Sequence, residues 1–429
     1  MNIALFTNTF TPHVGGVARS VSSLADGLRA RGHRVLVVAP EFPDTWESTD
    51  NVVRISAYQR FGGSDFSLPS PFSFSMAGRL DGFAPDIIHS HHPFLLGGTA
   101  LREAAARNIP IVYTYHTRYD LYGHYVIRNS DITRRLALGL SVGYCELCDA
   151  VIAPSKSIAT FLALNGVKTL TVVIPTGLNT VQLDETDSAG LRAQYAIPPG
   201  AFVVGHVGRL AQEKNLGYLT DALIRFLIST PKAHAIITGD GERAAPMAAA
   251  FANASISTRV HMTGVLSGVE LARAYATMNV FAFSSVSETQ GLVMIEAMAA
   301  GVPVVALDAP GACDVVVDGE NGRLLAPGTP IGGFAETLAW FAARPPAEVN
   351  ALGSGARETA SGYSQENTVQ RTLALYEDLI EARPTRPSIE NSAWRTARRR
   401  LSEQWRTIAR MADALSDAIL APEWPTDDK

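Results

Sequence analysis

Cysteine is scarce in this chain, three residues among 429. A low, odd count cannot build a disulfide framework and fits a reducing compartment. Cys145 and Cys148 have the spacing of half a zinc or redox site. No second pair and no histidine at ligand spacing follows them, so they read as structural residues on a helix. Long hydrophobic runs are missing as well. No apolar stretch reaches the ~18 residues that would cross a bilayer, and Asn2–Phe6 reads as a strand without a basic flank, so a cytoplasmic chain is expected. Charged residues make up only 18%, and a net charge of −5 argues against a nucleic-acid binder. Gly-x-Gly-x-x-Gly is absent, which removes the dinucleotide fingerprint.

What remains is core material. Hydrophobic residues make up 47% of a chain too long for one ordinary core, which predicts two domains. Charge is unevenly spread: +2 over residues 1–180, −9 over 181–382 and +2 over 383–429. An anionic surface should therefore meet the first part or the tail.

The order of elements predicts α/β architecture. Asn2–Phe6 is a strand, residues 7–16 a loop, Val17–Arg31 a helix and Arg34–Ala39 the next strand. A β-loop-α-β start means a parallel sheet whose ligand edge lies at the strand C-termini. Gly15 and Gly16 fall on that edge, where paired glycines permit close backbone approach to a phosphate or acceptor, or form a plain turn. Residues 58–75 are rich in Gly, Ser, Pro and Phe without period and read as a long loop with exposed aromatics. His89, His91 and His92 suggest a metal at first sight. No carboxylate at ligand spacing accompanies them, so hydrogen-bonded histidines are expected. His116 follows the strand Ile109–Tyr115, at the end from which a side chain can reach a bound sugar.

The second half repeats the alternation. The strand Phe202–Arg209 runs into Lys214, and Arg209 with Lys214 can grip a diphosphate from two sides or be two exposed charges. The densest signal is residues 284–301. The strand Val280–Phe283 feeds Glu288, Gln290, Gly291 and a helix from Leu292 that carries Glu296. Free N–H groups at such a helix start favour phosphate, and carboxylates beside it can hold hydroxyls. The plainer reading makes Glu288 a cap and Glu296 a solvated charge.

Glu288 and Glu296, followed by Ala297–Ala306, resemble the E-x7-E signature of family-4 retaining glycosyltransferases. Arg209 and Lys214 resemble the same family's pyrophosphate site, and Thr114–Tyr119 with His124 and Tyr125 resembles the subgroup that glycosylates diacylglycerol and related lipids. The resemblance covers roughly residues 1–382. It implies the GT-B fold: two doubly wound Rossmann-like domains facing a central cleft. The first, 1–180, would bind acceptor and the second, 181–363, nucleotide sugar, with crossover helices in 364–382 and a helical tail in 383–429. It further implies a hexosyltransferase that takes a sugar, UDP-linked in preference to GDP-linked, to a lipid hydroxyl.

By the same resemblance, Glu288 binds the sugar's distal hydroxyls, His116 its O6 side and Glu296 the ribose. Gly15 and Gly16 floor the site. Arg209, Lys214 and the amides of Gln290, Gly291 and Leu292 stabilise the leaving diphosphate. No nucleophile is evident, which implies attack on the departing face with the diphosphate as base. No Asp-x-Asp stands at a matching strand end, so no metal and no cofactor beyond the sugar nucleotide is expected. A soluble acceptor, a sugar-nucleotide epimerase or hydrolase, and a non-catalytic sensor are the alternatives. In the tail, Trp394, Ala397, Leu401, Trp405, Ile408, Ala412, Leu415 and Ile419 form an apolar helical stripe opposite Arg395, Arg398, Arg399, Arg400, Arg406 and Arg410. This stripe is expected either to lie on an anionic membrane surface or to pack on protein.

Overall fold

The structure is a computed structural model that describes residues 1–13, 15–42, 45, 49–58, 68–69, 74–121, 131–178, 189–382, 406–407 and 410. The chain forms two compact units, residues 1–177 with 365–429, and residues 178–364.

The first unit is built on a seven-stranded sheet of β1 (Asn2–Phe6), β2 (Arg34–Pro40), β3 (Val52–Ile55), β6 (Ile87–Ser90), β7 (Ile111–Thr114), β8 (Ala150–Ala153) and β9 (Thr171–Val173). Between β3 and β6 lies a two-residue antiparallel ladder of β4 (Ala57–Tyr58) and β5 (Leu68–Pro69). The seven strands are parallel, in the order β3-β2-β1-β6-β7-β8-β9, with Ile3 opposite both Val35 and Ile87. Short apolar runs such as Ile111–Thr114 are buried along their length because helices cover both faces of a parallel sheet. On one face the helix Gly16–Ala30 buries Ala18, Val21, Leu24, Ala25 and Leu28, a three- and four-residue spacing.

The helix Gln365–Glu381 returns to this unit and buries Val369, Leu373 and Tyr376 in the same core as Ile3, Leu5 and Val21. Full burial of such side chains contributes about 1.5–3 kcal/mol each. Gly27 allows the two helices to approach: a Cβ there would sit 2.5 Å from Val369 Cγ2.

The second unit has six parallel strands, β10 (Val203–Val207), β11 (His234–Thr238), β12 (Val260–Gly264), β13 (Val280–Phe283), β14 (Val304–Leu307) and β15 (Gly322–Leu325), in the order β12-β11-β10-β13-β14-β15. Apolar clusters fill both faces, one around Phe281, Ile295 and Met298, the other around Leu219, Phe226 and Phe334. In each sheet the strand order reverses once, between β1 and β6 and between β10 and β13. Ligand crevices in doubly wound sheets open at these reversals, beyond the strand C-termini.

Two expectations need adjustment. The stretch 364–382 holds a single helix, Gln365–Glu381, because Pro346–Ser361 already completes the preceding unit. Residues 58–75 are not all loop. Ala57–Tyr58 pairs with Leu68–Pro69, and Phe74 opens the helix Phe74–Phe83. Backbone pairing of two residues leaves no side-chain period to read. His124 and Tyr125, and the stripe from Trp394 to Ile419 apart from Arg406 and Arg410, lie outside the described residues. Arg410 Nη2 lies 4.0 Å from Glu146, and Arg410 Cβ is 3.3 Å from where Gly143 would carry a Cβ. Among the described residues no helix is long and apolar enough to cross a membrane.

Candidate active site

In the second unit the reversal lies beyond β10 and β13, and the sequence there builds an electrostatic cradle. Strand β10 ends at Val207, and Gly208 and Arg209 follow. Gly239 follows β11 with φ +135°, and a Cβ on it would lie 1.9 Å from the Gly208 carbonyl oxygen, so only glycine fits. The next turn, Gln212–Lys214, is pinned to the loop after β13. Ser284 Oγ donates to the carbonyls of Lys214 and Asn215 at 3.1 Å, and Ser287 Oγ donates to that of Glu213 at 3.0 Å. Asn215, in the left-handed region at φ +55°, starts the helix Leu216–Ser229 and returns a hydrogen bond from Nδ2 to the Ser284 carbonyl.

These pins bring Lys214 and Glu288, far apart in sequence, into an ion pair with Nζ 2.6 Å from Oε1. Both side chains are mostly buried, 19% and 16% exposed. Burial alone would raise the Glu288 carboxyl; the Lys214 charge, its hydrogen bond and that of Ser285 outweigh burial and hold it below the usual carboxylate range. Arg209 pairs with Glu213 and is half-exposed. The two basic residues thus engage different carboxylates.

Gln290 is buried, and Gly291 at φ +73° caps the helix Leu292–Ala299, whose first turn carries no acidic residue. Its amides present the positive end of the helix dipole. Glu296, in the fifth position, is buried, and Tyr275 Oη donates to its Oε2 at 2.7 Å. The cap and solvated-charge readings therefore fail: Glu288 is held by Lys214, and Glu296 is not at the surface. Gly311, at φ +81°, touches this loop from behind, since a Cβ there would lie 2.8 Å from Glu288 Cβ and 3.1 Å from the Gln290 nitrogen.

In the first unit the crevice end of β6 and β7 carries histidines. His89 is buried between Tyr376 Oη at 2.6 Å and Thr114 Oγ1 at 2.7 Å. His92 Nδ1 accepts from the Asn8 amide at 3.0 Å. His91 Nδ1 lies 2.9 Å from His116 Nε2, with the rings stacked. Burial lowers all four, His89 and His92 to about 3. His89, His91 and His92 are hydrogen-bonded histidines, as expected, His116 is the partner of His91, and among the described residues no group of three or more His, Cys, Asp or Glu is placed to hold a metal ion. Gly15 is extended and precedes the helix Gly16–Ala30, at the C-terminal end of β1. Cys145 ends the helix Asp131–Cys145, and Cys148 lies just past it with Sγ 3.4 Å from the Tyr144 carbonyl; both are buried free thiols.

Ser284 and Ser287 lie inside the stretch 284–301 with no role read for them, and Tyr275, Gly311 and His206 escape the sequence reading. Only His206 leaves a trace there, a polar residue in an otherwise apolar strand.

Comparison with known proteins follows the two units. Residues 14–182 match Glycosyltransferase Family 4, and residues 187–359 match Glycosyl transferases group 1. An alpha-monoglucosyldiacylglycerol synthase of Streptococcus pneumoniae is 30% identical over 76% of this chain and 75% of its own length. One from Acholeplasma laidlawii is 28% identical over 89% and 98%. A GDP-mannose-dependent alpha-mannosyltransferase of Mycobacterium tuberculosis is 31% identical over 90% and 98%. Among solved structures, sucrose-phosphate synthase from Thermosynechococcus elongatus superposes with a TM-score of 0.73 at 23% identity, covering 89% of this chain and 99% of its own. HepE from Anabaena, in complex with UDP, gives 0.68 at 22%, covering 88% and 100%. The architecture is GT-B.

Proposed function

The chain belongs to glycosyltransferase family 4, and from that premise we propose that it carries a hexose from a nucleoside-diphosphate sugar, UDP-linked in preference to GDP-linked, to a hydroxyl of a lipid such as diacylglycerol, with anomeric configuration retained. The observation that carries the donor side is the Lys214–Glu288 pair, held at 2.6 Å at the switch point of the second sheet beside the start of the helix Leu292–Ala299. A cation, a helix N-terminus and a carboxylate are what a diphosphate and a sugar hydroxyl require together. The two glucosyldiacylglycerol synthases among the relatives support the lipid acceptor. The mannosyltransferase at 31% identity supports a second reading, a GDP-mannose donor on the same site.

The chemistry follows from the residue types. Lys214, Arg209 and the amides at Gln290, Gly291 and Leu292 neutralise charge that grows on the diphosphate as its bond to the anomeric carbon breaks. Glu288 accepts from sugar hydroxyls and Glu296 from the ribose. The acceptor oxygen bonds to the anomeric carbon on the face the diphosphate leaves, and its proton passes to a diphosphate oxygen. His116 binds the sugar from the first unit, and Gly15 and Gly16 allow close backbone approach. Positive charge from side chains and amides makes a divalent metal unnecessary, so turnover should survive a chelator. The basic tail would hold the enzyme on the cytoplasmic face of an anionic membrane; the Arg410–Glu146 approach supports the competing role, packing on protein.

The test is nucleoside-diphosphate release from a panel of UDP- and GDP-sugars, with and without anionic liposomes containing diacylglycerol. Release requiring one donor and the lipid is expected. Release indifferent to lipid would move the acceptor into water, and release by hydrolysis alone would refute transfer.

A further inference from the structure

His206 occupies the fourth position of β10, directly below the cradle, and takes no part in the assignments above. Its Nδ1 lies 3.0 Å from the Ala282 carbonyl oxygen. A carbonyl only accepts, so Nδ1 carries the proton, and in the neutral ring Nε2 is a bare acceptor. That nitrogen is buried and has no hydrogen-bond partner among the described residues, in a residue only 3% exposed. Leaving a buried polar atom unsatisfied is costly, and such an atom in a native fold calls for an explanation.

Its surroundings point outward to the site. A Cβ at Gly208 would lie 3.7 Å from Nε2, so the buried ring nitrogen lies against the glycine at which the chain leaves the sheet. Lys214 and Glu288 both act electrostatically on the ring. Burial, the largest influence, lowers it to about 4, so the acceptor form prevails at neutral pH. An acceptor selects a hydrogen-bond donor. The diphosphate of a sugar nucleotide has no such proton at neutral pH, whereas every hexose hydroxyl does.

We propose that His206 Nε2 is a sugar-reading subsite, accepting a hydrogen bond from one hydroxyl of the transferred hexose beside those held by Glu288. This rests on the donor assignment made above. It adds a second acceptor at the reversal between β10 and β13, so that one more hydroxyl is read beyond those Glu288 holds.

Calorimetric binding separates the two claims. The full chain is titrated with UDP, GDP, UDP-glucose, GDP-mannose and the 2-, 3-, 4- and 6-deoxyfluoro forms of the sugar nucleotide that binds, since fluorine cannot donate. In the wild type, fluorine at the position read by His206 weakens binding about tenfold, a typical single hydrogen bond. His206→Phe keeps the ring volume and removes the acceptor. It is expected to weaken the parent sugar nucleotide by the same factor, to leave the free nucleotide unchanged and to become indifferent to fluorine at that position. His206→Asn, which keeps a donor for Ala282, serves where the phenylalanine variant does not fold. Equal weakening of free nucleotide and sugar nucleotide, or fluorine effects identical in wild type and variant, would overturn the subsite while leaving the donor assignment standing. A wild type that binds none of the sugar nucleotides overturns both.

Discussion

Replacing Lys214 by methionine removes an ammonium and leaves the Glu288 carboxylate, 16% exposed, without its 2.6 Å partner. Orphaning one member of a fully buried pair costs about 3–5 kcal/mol; with this residual exposure we expect roughly 2–3 kcal/mol, read by chemical denaturation. The sign of the pH dependence also inverts. In the wild type the Glu288 carboxyl is depressed, so its contribution is present above the unfolded carboxylate pKa and is lost as pH falls through the folded value. Without Lys214, burial dominates and the carboxyl rises, so the variant gains stability on acidification relative to wild type. Adding Glu288→Gln to Lys214→Met removes the stranded charge and should restore about 1–2 kcal/mol. Activity should not follow. Each single variant and the double variant should lose on the order of 10²–10³ in kcat/KM for nucleoside-diphosphate release, since a donor aimed at developing charge is worth that much. Strictly additive stabilities, or Lys214→Met retaining more than about a tenth of wild-type kcat/KM, would refute the reasoning.

Tyr275→Phe deletes the 2.7 Å hydrogen bond to Glu296, and loss of a bond to a charged group, about 1.5–3 kcal/mol, should raise the KM for sugar nucleotide about tenfold or more with little change in kcat. Gly311→Ala puts a methyl 2.8 Å from Glu288 Cβ at φ +81°, and a donor-binding titration should show weakened affinity although residue 311 is assigned no ligand contact. His89 and His92 are neutral in the fold down to about pH 3 but charge near 6.5 when unfolded, so each withdraws up to about 1.4 kcal/mol per pH unit as pH falls below 6.5. Melting temperatures from pH 7 to 4.5 should fall accordingly, and His89→Gln should flatten the slope.

Much of the geometry around Glu288 and Glu296 was legible because it is local in sequence. The strand Val280–Phe283, Gly291 and the helix start at Leu292 stand where the sequence put them, and the alternation of apolar runs with helical stretches sufficed for two parallel sheets. The partners of the charged residues were not legible. Nothing near Glu288 in sequence names Lys214, and nothing near Glu296 names Tyr275, whose hydroxyl donates to it.

Sequence by itself therefore determined the element types, their order along two parallel sheets, and the residue classes at each strand end, because periodicity and backbone preference act over a few residues. Tertiary structure decided which carboxylate meets which cation, which histidines are paired, and that His206 Nε2 is buried with no hydrogen-bond partner among the described residues. Burial and pairing depend on residues tens to hundreds of positions apart, and a chain without its fold carries no record of those distances.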